Sequence, residues 1–205
     1  MSLAARLAAL GTATIGETAA SARVIRLPLR PLAPEMAAAG TALTVHCRPG
    51  DNLALHRAIA AAAPGDILVV DYGGNTDSGP FGEIMALACQ LRGIAGLVTD
   101  GSVRDSAKLI EMRFPVFSRG LDIRGTAKKD RGEVGRPITL GGVRIERGDL
   151  VVADADAIIV LPAGDARAAL AAGEARAAAE VRMMERLRAG ETTLQILGLA
   201  EVEEP

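Results

Sequence analysis

Short aliphatic runs alternate with helical patterns through the first half of the chain. Four runs have the length and the β-branched content of buried strands, and they lie at residues 42–47, 67–70, 94–98 and 116–117. Apolar residues at helical spacing predict helices between these runs, at 53–62, 82–92 and 105–113. Asp51 or Asn52 is placed to cap the first of these helices. The N-terminal pattern predicts a helix over 3–10, followed by a second helix that Thr12 or Thr14 caps.

The second half has a different pattern, in which consecutive strands precede a long helix. The β segments are 141–145, 150–152 and 157–161, and the first of them alternates apolar and polar residues as a half-exposed strand does. Asp165 is predicted to cap an alanine-rich helix that ends near Ala189, before Gly190, with a kink at Gly173. The two halves together predict an α/β fold with a mixed sheet, flanking helices and a long C-terminal helix.

Composition limits the classes of protein to which the chain can belong. Its 205 residues predict a single domain over 1–205, and an aromatic content of 2% requires a core of small aliphatic side chains. A net charge of −2 argues against general binding to nucleic acids or membrane surfaces. The basic cluster at 128–131 contains Asp130 and predicts a solvated turn. Without a secretory signal or a bilayer-spanning apolar segment, we expect a cytoplasmic protein with Cys47 and Cys89 as reduced, buried thiols.

Two strand-to-helix junctions carry the candidate chemistry. They are residues 71–83, DYGGNTDSGPFGE, and residues 99–105, TDGSVRD. Adjacent parallel strands bring their carboxyl ends to one edge of a sheet, where ligands collect. The free amides of a helix that begins near Gly82 suit a carboxylate or phosphate, and Arg104 offers a planar set of donors that matches a carboxylate. Asp105 supplies a hard oxygen ligand for Mg²⁺ or Mn²⁺.

The neighbouring arginine and aspartate also have a simpler interpretation. Asp105 can cap the helix that it begins, while Arg104 lies on the surface as an ordinary charged side chain. The residues alone leave this interpretation and the catalytic one open, because short motifs give many false matches.

The second junction lies within a stretch that is similar to a known family signature. The segment GEIMALACQLRGIAGLVTDGSVRD has Glu83 followed, after twenty residues, by Arg104 and Asp105. It resembles the 4-hydroxy-4-methyl-2-oxoglutarate aldolase family, which includes the regulator of ribonuclease E activity A (RraA). A second stretch, GGVRIERGDLVVADADAIIVLP, resembles another part of that family's pattern. The chain departs from the pattern at Glu83, where many members have aspartate, and at Ala157, where glycine is usual.

The resemblance implies a swivelling-domain-like α-β-β-α sandwich and a divalent-metal-dependent lyase. Such an enzyme cleaves 4-hydroxy-2-keto acids, of the 4-hydroxy-4-methyl-2-oxoglutarate or 4-carboxy-4-hydroxy-2-oxoadipate type, to pyruvate and a second keto acid, and it decarboxylates oxaloacetate. Arg104 would hold the substrate carboxylate, Asp105 would ligate Mg²⁺ or Mn²⁺ directly or through water, and Glu83 would bind waters of the metal or assist proton transfer. The backbone amides that would receive the anionic end of the substrate are those of Gly82, Glu83, Ile84 and Met85.

The resemblance also implies partners. The expected assembly is a homotrimer or homohexamer, in which the C-terminal helix (about 165–189) packs on a neighbouring subunit and lends its site a glutamate. Glu180 is the first choice for that glutamate and Glu174 is its competitor. The alternative function is that of a non-enzymatic protein that regulates an RNA-processing enzyme.

Several other polar residues are given smaller roles. His46 and His56 are ten residues apart without a third partner, so no histidine-based site is predicted. Asp154 and Asp156 predict a turn between strands in preference to a metal site. The residues expected to line or approach the crevice without a defined role are Lys108, Glu17 and Asp71.

Overall fold

The computed structural model describes residues 1–199, which contain six α-helices and thirteen strands. The helices are α1 (Leu3–Thr18), α2 (Leu53–Ala61), α3 (Glu83–Leu91), α4 (Ser106–Glu111), α5 (Ala166–Arg188) and α6 (Thr193–Leu197), and a 3-10 turn at Ala163–Asp165 precedes α5. The strands are β1 (Arg23–Val24), β2 (Arg30–Pro31), β3 (Ala38–His46), β4 (Asp66–Asp71), β5 (Gly96–Thr99), β6 (Ser102–Val103), β7 (Val116–Ser118), β8 (Gly120–Leu121), β9 (Glu133–Val134), β10 (Ile138–Leu140), β11 (Val143–Ile145), β12 (Leu150–Ala153) and β13 (Ile158–Leu161). Within this range, no helix has the length and apolar character that a bilayer crossing requires.

Nine of these strands form one mixed sheet. Their order is β1-β13-β12-β3-β4-β5-β7-β2, and β9 pairs with the end of β3. The central strands β3, β4, β5 and β7 are parallel, whereas the strands toward both edges are antiparallel. β3 begins at Ala38, earlier than predicted, because residues 38–41 pair with β12. The mixed sheet, the flanking helices and the long α5 confirm the predicted fold class.

The core divides between the two faces of this sheet. Aliphatic side chains of β3 and β4 pack under α2, α3 and α4 on one face, and α1 and α5 cover the β12–β13 end of the same face. The opposite face lies under the β10–β11 hairpin. Because both faces are covered, the residues of β4 between its two terminal aspartates, Ile67 to Val70, are all apolar. Cys47 and Cys89 are buried free thiols, as predicted, and burial raises the pKa of each to about 12.

α1 consists of two helical segments that meet at Gly11, whose φ of 79° breaks the helix. The predicted break is therefore confirmed, but the predicted cap from Thr12 or Thr14 is wrong. The carboxylate of Asp154 accepts hydrogen bonds from the amide and the hydroxyl of Thr12, both at 2.6 Å, so the cap comes from the turn between β12 and β13. Burial alone would raise the pKa of Asp154, but these bonds and those from the amides of Asp156 and Ala157 lower it.

α5 is continuous and ends before Gly190, which has a φ of 98°. The predicted kink at Gly173 is wrong: this glycine permits close packing, since a Cβ there would lie 2.7 Å from the side chain of Leu10. Asp165 makes no capping hydrogen bond with its side chain. The first half of α5 packs on α1, and the second half exposes an apolar stripe of Val181, Met184 and Leu187.

Candidate active site

A cleft of about 330 Å³ opens at the carboxyl-terminal edge of the four parallel strands. Each of the four segments that build it follows one of these strands: α2 follows β3, the start of α3 follows β4, residues 104–105 follow β5 and residue 128 follows β7. The lining residues are Asn52, His56, Gly82, Glu83, Ile84, Met85, Arg104, Asp105 and Lys128. The structure thus brings together the predicted site residues at 82–85 and 104–105.

Asp105 and Arg104 lie between β6 and α4. Asp105 has left-handed backbone angles (φ 58°, ψ 35°), which are uncommon for a residue with a side chain, and it makes no capping bond to α4. Its Oδ2 accepts a hydrogen bond of 3.0 Å from the amide of Glu83 and lies 3.7 Å from Nε of Arg104. The simpler interpretation of Asp105 as the cap of its own helix is therefore wrong, because its side chain caps α3 instead.

Gly82 permits the close approach of the two junctions. A Cβ at this position would overlap the Asp105 carboxylate and would come within 2.9 Å of Cγ of Arg104. The amide of Arg104 also donates to the carbonyl oxygen of Phe81 at 2.9 Å, which ties the two segments together. The first turn of α3 leaves its amides without intrahelical acceptors, and one of them, that of Glu83, already donates to Asp105. The amides of Ile84 and Met85 are left to donate hydrogen bonds to an anion.

The wall opposite Arg104 and Asp105 contains Asn52, His56 and Lys128, none of which the sequence indicated. Lys128 belongs to the basic cluster that predicted a solvated turn; the side chain is exposed, as predicted, and it also lines the cleft. His56 lines the cleft as well, although the sequence predicts no histidine-based site. Partial desolvation and the nearby charge of Lys128 lower the pKa of His56, which favours its neutral form. Asn52 is buried, and its Nδ2 donates to the carbonyl oxygen of Pro80 at 2.8 Å.

Asp51 holds the loop that carries Lys128 beside the start of α2. Its Oδ2 accepts hydrogen bonds from the amides of Lys129 and Asp130, at 2.7 and 3.1 Å, and its Oδ1 accepts one from the amide of Leu53 at 2.9 Å. Burial opposes ionisation of this carboxyl, but the three hydrogen bonds lower its pKa. Asp51 therefore acts as the predicted cap of α2 and also fixes the opposite wall.

Other predicted residues lie away from the cleft. Lys108 and Asp71 do not line the cleft, contrary to expectation. Lys108 pairs with Glu111 at 2.8 Å, and Asp71 pairs with His46 at 3.0 Å. The residues between α1 and α5 form a separate set of ion pairs, in which Arg176 contacts Glu17 and Glu180, and Arg6 contacts Glu174. Within one chain, Glu17, Glu174 and Glu180 do not reach the cleft. The contribution of Glu180 or Glu174 to a neighbouring subunit stays a prediction.

The acids of the cleft fit a hydrated divalent cation. Glu83 and Asp105 are the carboxylates that line it, and Oδ1 of Asp105 is left free by the hydrogen bond that Oδ2 accepts. Mg²⁺ commonly binds through one or two carboxylates and keeps several waters. Across residues 1–199, no group of three or more His, Cys, Asp or Glu side chains is placed to hold a metal ion. A cation here would therefore depend on few protein oxygens.

Comparisons with known proteins agree with this architecture. A protein of Halalkalibacterium halodurans, whose name gives 4-hydroxy-4-methyl-2-oxoglutarate aldolase as a provisional assignment, is 39% identical over 136 residues, which are 66% of this chain and 65% of that protein. The chain therefore matches slightly less than two thirds of the length of that relative. The crystal structure of an uncharacterized protein from Pseudomonas syringae pv. tomato is similar with a TM-score of 0.86 at 26% identity, covering 97% of this chain and 93% of the other.

A further solved structure, that of the RNA-processing inhibitor RraA from a Thermus species, has a TM-score of 0.69 at 25% identity and covers 74% of this chain and 92% of its own. The RraA-like family, described as Aldolase/RraA, matches residues 12–160 of the sequence, which include every residue that lines the cleft. Because this match extends over well more than half of the chain, the protein belongs to the RraA-like family.

Proposed function

We propose that the protein is a divalent-metal-dependent lyase for 4-hydroxy-2-keto acids. Its substrates would be of the 4-hydroxy-4-methyl-2-oxoglutarate or 4-carboxy-4-hydroxy-2-oxoadipate type, and it would also decarboxylate oxaloacetate. The observation that carries the proposal is the meeting of Arg104, Asp105 and the first turn of α3 at one cleft. The name of the relative from Halalkalibacterium halodurans supports an aldolase in particular.

The roles follow from the chemistry of each group. The guanidinium of Arg104 binds the substrate carboxylate, and the free amides of Ile84 and Met85 add donors to the same anionic end. This arrangement orients the keto acid so that the bond to be broken aligns with the π system of the keto group. Asp105, with Glu83 nearby, would hold Mg²⁺ or Mn²⁺, which when bound supplies a Lewis acid for the keto oxygen.

The proposed cleavage balances as a reverse aldol reaction. A base removes the proton from the 4-hydroxyl group, the bond between C3 and C4 breaks, and its electron pair enters the keto group as the enolate of pyruvate. Protonation of that enolate at C3 gives pyruvate, while C4 leaves as the carbonyl carbon of the second keto acid. Oxaloacetate reaches the same enolate by losing CO₂, so one cleft suits both reactions. Glu83 is the base candidate within the chain.

The assembly is part of the proposal. In a homotrimer or homohexamer, α5 of one subunit would bring Glu180, or else Glu174, to the cleft of its neighbour as a further acid or base. The exposed stripe of Val181, Met184 and Leu187 on α5 supports such packing, because apolar side chains at helical spacing favour burial. Light scattering tests this part: a monomer in solution would remove the shared glutamate.

The test of the reaction is direct. Purified protein is incubated with oxaloacetate and Mg²⁺ or Mn²⁺ while pyruvate is followed, and chelation of the metal should stop its release. Absence of metal-dependent turnover on oxaloacetate and on 4-hydroxy-2-keto acids would refute the lyase. It would favour the alternative, a regulator of an RNA-processing enzyme, for which the similarity to the RNA-processing inhibitor RraA is the supporting observation.

A further inference from the structure

Tyr72 is buried at the point where the segments that build the cleft meet. It is the only tyrosine of the chain, it follows β4 directly, and it has no exposed surface. Its side chain is not among those that line the cleft. A buried phenol requires hydrogen-bond partners, and here those partners belong to the loops of the site.

The hydroxyl of Tyr72 joins two of these loops. The amide of Gly50 donates to the phenol oxygen at 2.9 Å, and the hydroxyls of Tyr72 and Ser78 share a hydrogen bond of 3.1 Å. Gly50 lies in the loop before α2, and its carbonyl oxygen accepts a hydrogen bond of 2.9 Å from the amide of Ala127. Through Gly50, the hydroxyl therefore contacts the unit formed by the start of α2 and the loop that carries Lys128, which Asp51 holds together.

The wall that carries Arg104 is held by other atoms of the same residue. The backbone amide of Tyr72 donates to Oδ1 of Asp100 at 2.6 Å. The ring packs on Gly101, where a Cβ would lie 2.8 Å from a ring carbon. These contacts use the backbone and the ring but not the hydroxyl. Loss of the hydroxyl alone would remove one anchor of the first wall, which Asp51 and Asn52 still hold, and would leave the contacts of the second wall unchanged.

We propose that Tyr72 is a positioning residue, whose hydroxyl sets the distance between the wall of Asn52 and Lys128 and the wall of Arg104 and Asp105. The inference rests on the proposed function. A pyruvate-sized ligand held by Arg104 and Asp105 contacts only that wall. A longer 2-keto acid extends toward the wall of Asn52 and Lys128 as well. The hydroxyl therefore governs affinity for long substrates more than for short ones.

The test is Tyr72→Phe, which removes one oxygen and keeps the ring. The amide of Gly50 loses its acceptor and should exchange with solvent about tenfold faster, while residues 99–105 keep their protection. The Kd for 2-oxoglutarate and the KM for a 4-hydroxy-2-keto acid should rise roughly five- to tenfold, whereas the Kd for oxalate with Mg²⁺ changes less than about twofold. Ser78→Ala is the matched control: it keeps the bond between Tyr72 and Gly50, so both Kd values should stay close to those of the wild type.

Three results would overturn the proposal. One is unchanged exchange at Gly50, and another is faster exchange with unchanged affinity for 2-oxoglutarate. The third is an equal loss of affinity for oxalate and 2-oxoglutarate, which would indicate a general loss of structure. Absence of turnover in the wild type would refute the proposed function alone, because the exchange and binding measurements judge Tyr72 without any reaction.

Discussion

Two substitutions of Asp105 separate its structural role from its proposed chemical one. In Asp105→Ala, the amide of Glu83 loses its acceptor, and loss of a capping bond costs about 1 kcal/mol. An alanine at a φ of 58° adds about 1–2 kcal/mol, which a short polar side chain partly avoids. We therefore expect Asp105→Ala to lower the free energy of unfolding by about 2–3 kcal/mol.

Asp105→Asn should retain the fold, because asparagine tolerates the left-handed conformation and its side-chain oxygen can accept from the amide of Glu83. We expect its free energy of unfolding to lie within about 1 kcal/mol of the wild type in urea titrations followed by circular dichroism. Its metal-dependent release of pyruvate from oxaloacetate should nevertheless be abolished, since the negative oxygen ligand is lost. Asp122→Asn is a control outside the cleft, where Asp122 pairs with Arg124. Near-normal kcat/KM in Asp105→Asn would refute the ligand role, and stability as low as that of the alanine variant would refute the capping argument.

Three other expectations are open to measurement. Asp154→Asn should lower the free energy of unfolding by about 2–3 kcal/mol, against less than about 0.5 kcal/mol for the exposed Asp156→Asn, because only Asp154 caps a helix. The pKa of Asp154 is lowered in the folded protein, so the stabilisation from its carboxylate is complete above the unfolded pKa and is lost as the pH falls through the folded pKa. Urea titrations of the wild type and of Asp154→Asn should therefore converge in acid. Arg104→Lys should reduce kcat/KM about tenfold or more without a change in Tm, because a lysine keeps the charge and loses the planar pair of donors. Cys47 and Cys89 should resist alkylation in the native protein and react on unfolding, since burial raises both pKa values to about 12; rapid native labelling would contradict this.

The parts of the fold that the sequence predicted well are those with strong local signals. β4 is a continuous aliphatic run between turn residues, and α5 is a long alanine-rich stretch that ends before Gly190. The errors occur where a distant contact decides the structure. The carboxylate that caps the second segment of α1 comes from Asp154, far along the chain from Thr12, and Gly173 is explained by contact with Leu10. No local pattern around these positions contains that information.

The same distinction applies to the site. Arg104 and Asp105 were found because they follow a recognisable strand and because their spacing from Glu83 is similar to a family signature. Lys128 and His56 were missed because each has an ordinary local interpretation, as part of a charged turn and of an amphipathic helix. The signal that could have found them was topological: β3 and β7 are parallel to β4 and β5, so the segments after all four strands meet at one edge.

The wall that contains Lys128 and His56 also affects the net charge of the cleft. Arg104 and Lys128 contribute two positive groups, and Glu83 and Asp105 contribute two carboxylates, while the lowered pKa of His56 favours its neutral form. A dianionic keto acid alone would therefore leave two negative charges without compensation in the cleft, and a divalent cation alone would leave two positive ones. Together they add no net charge. The substrate and the cation should thus favour each other's binding, and by linkage the gain in affinity must be the same in both directions.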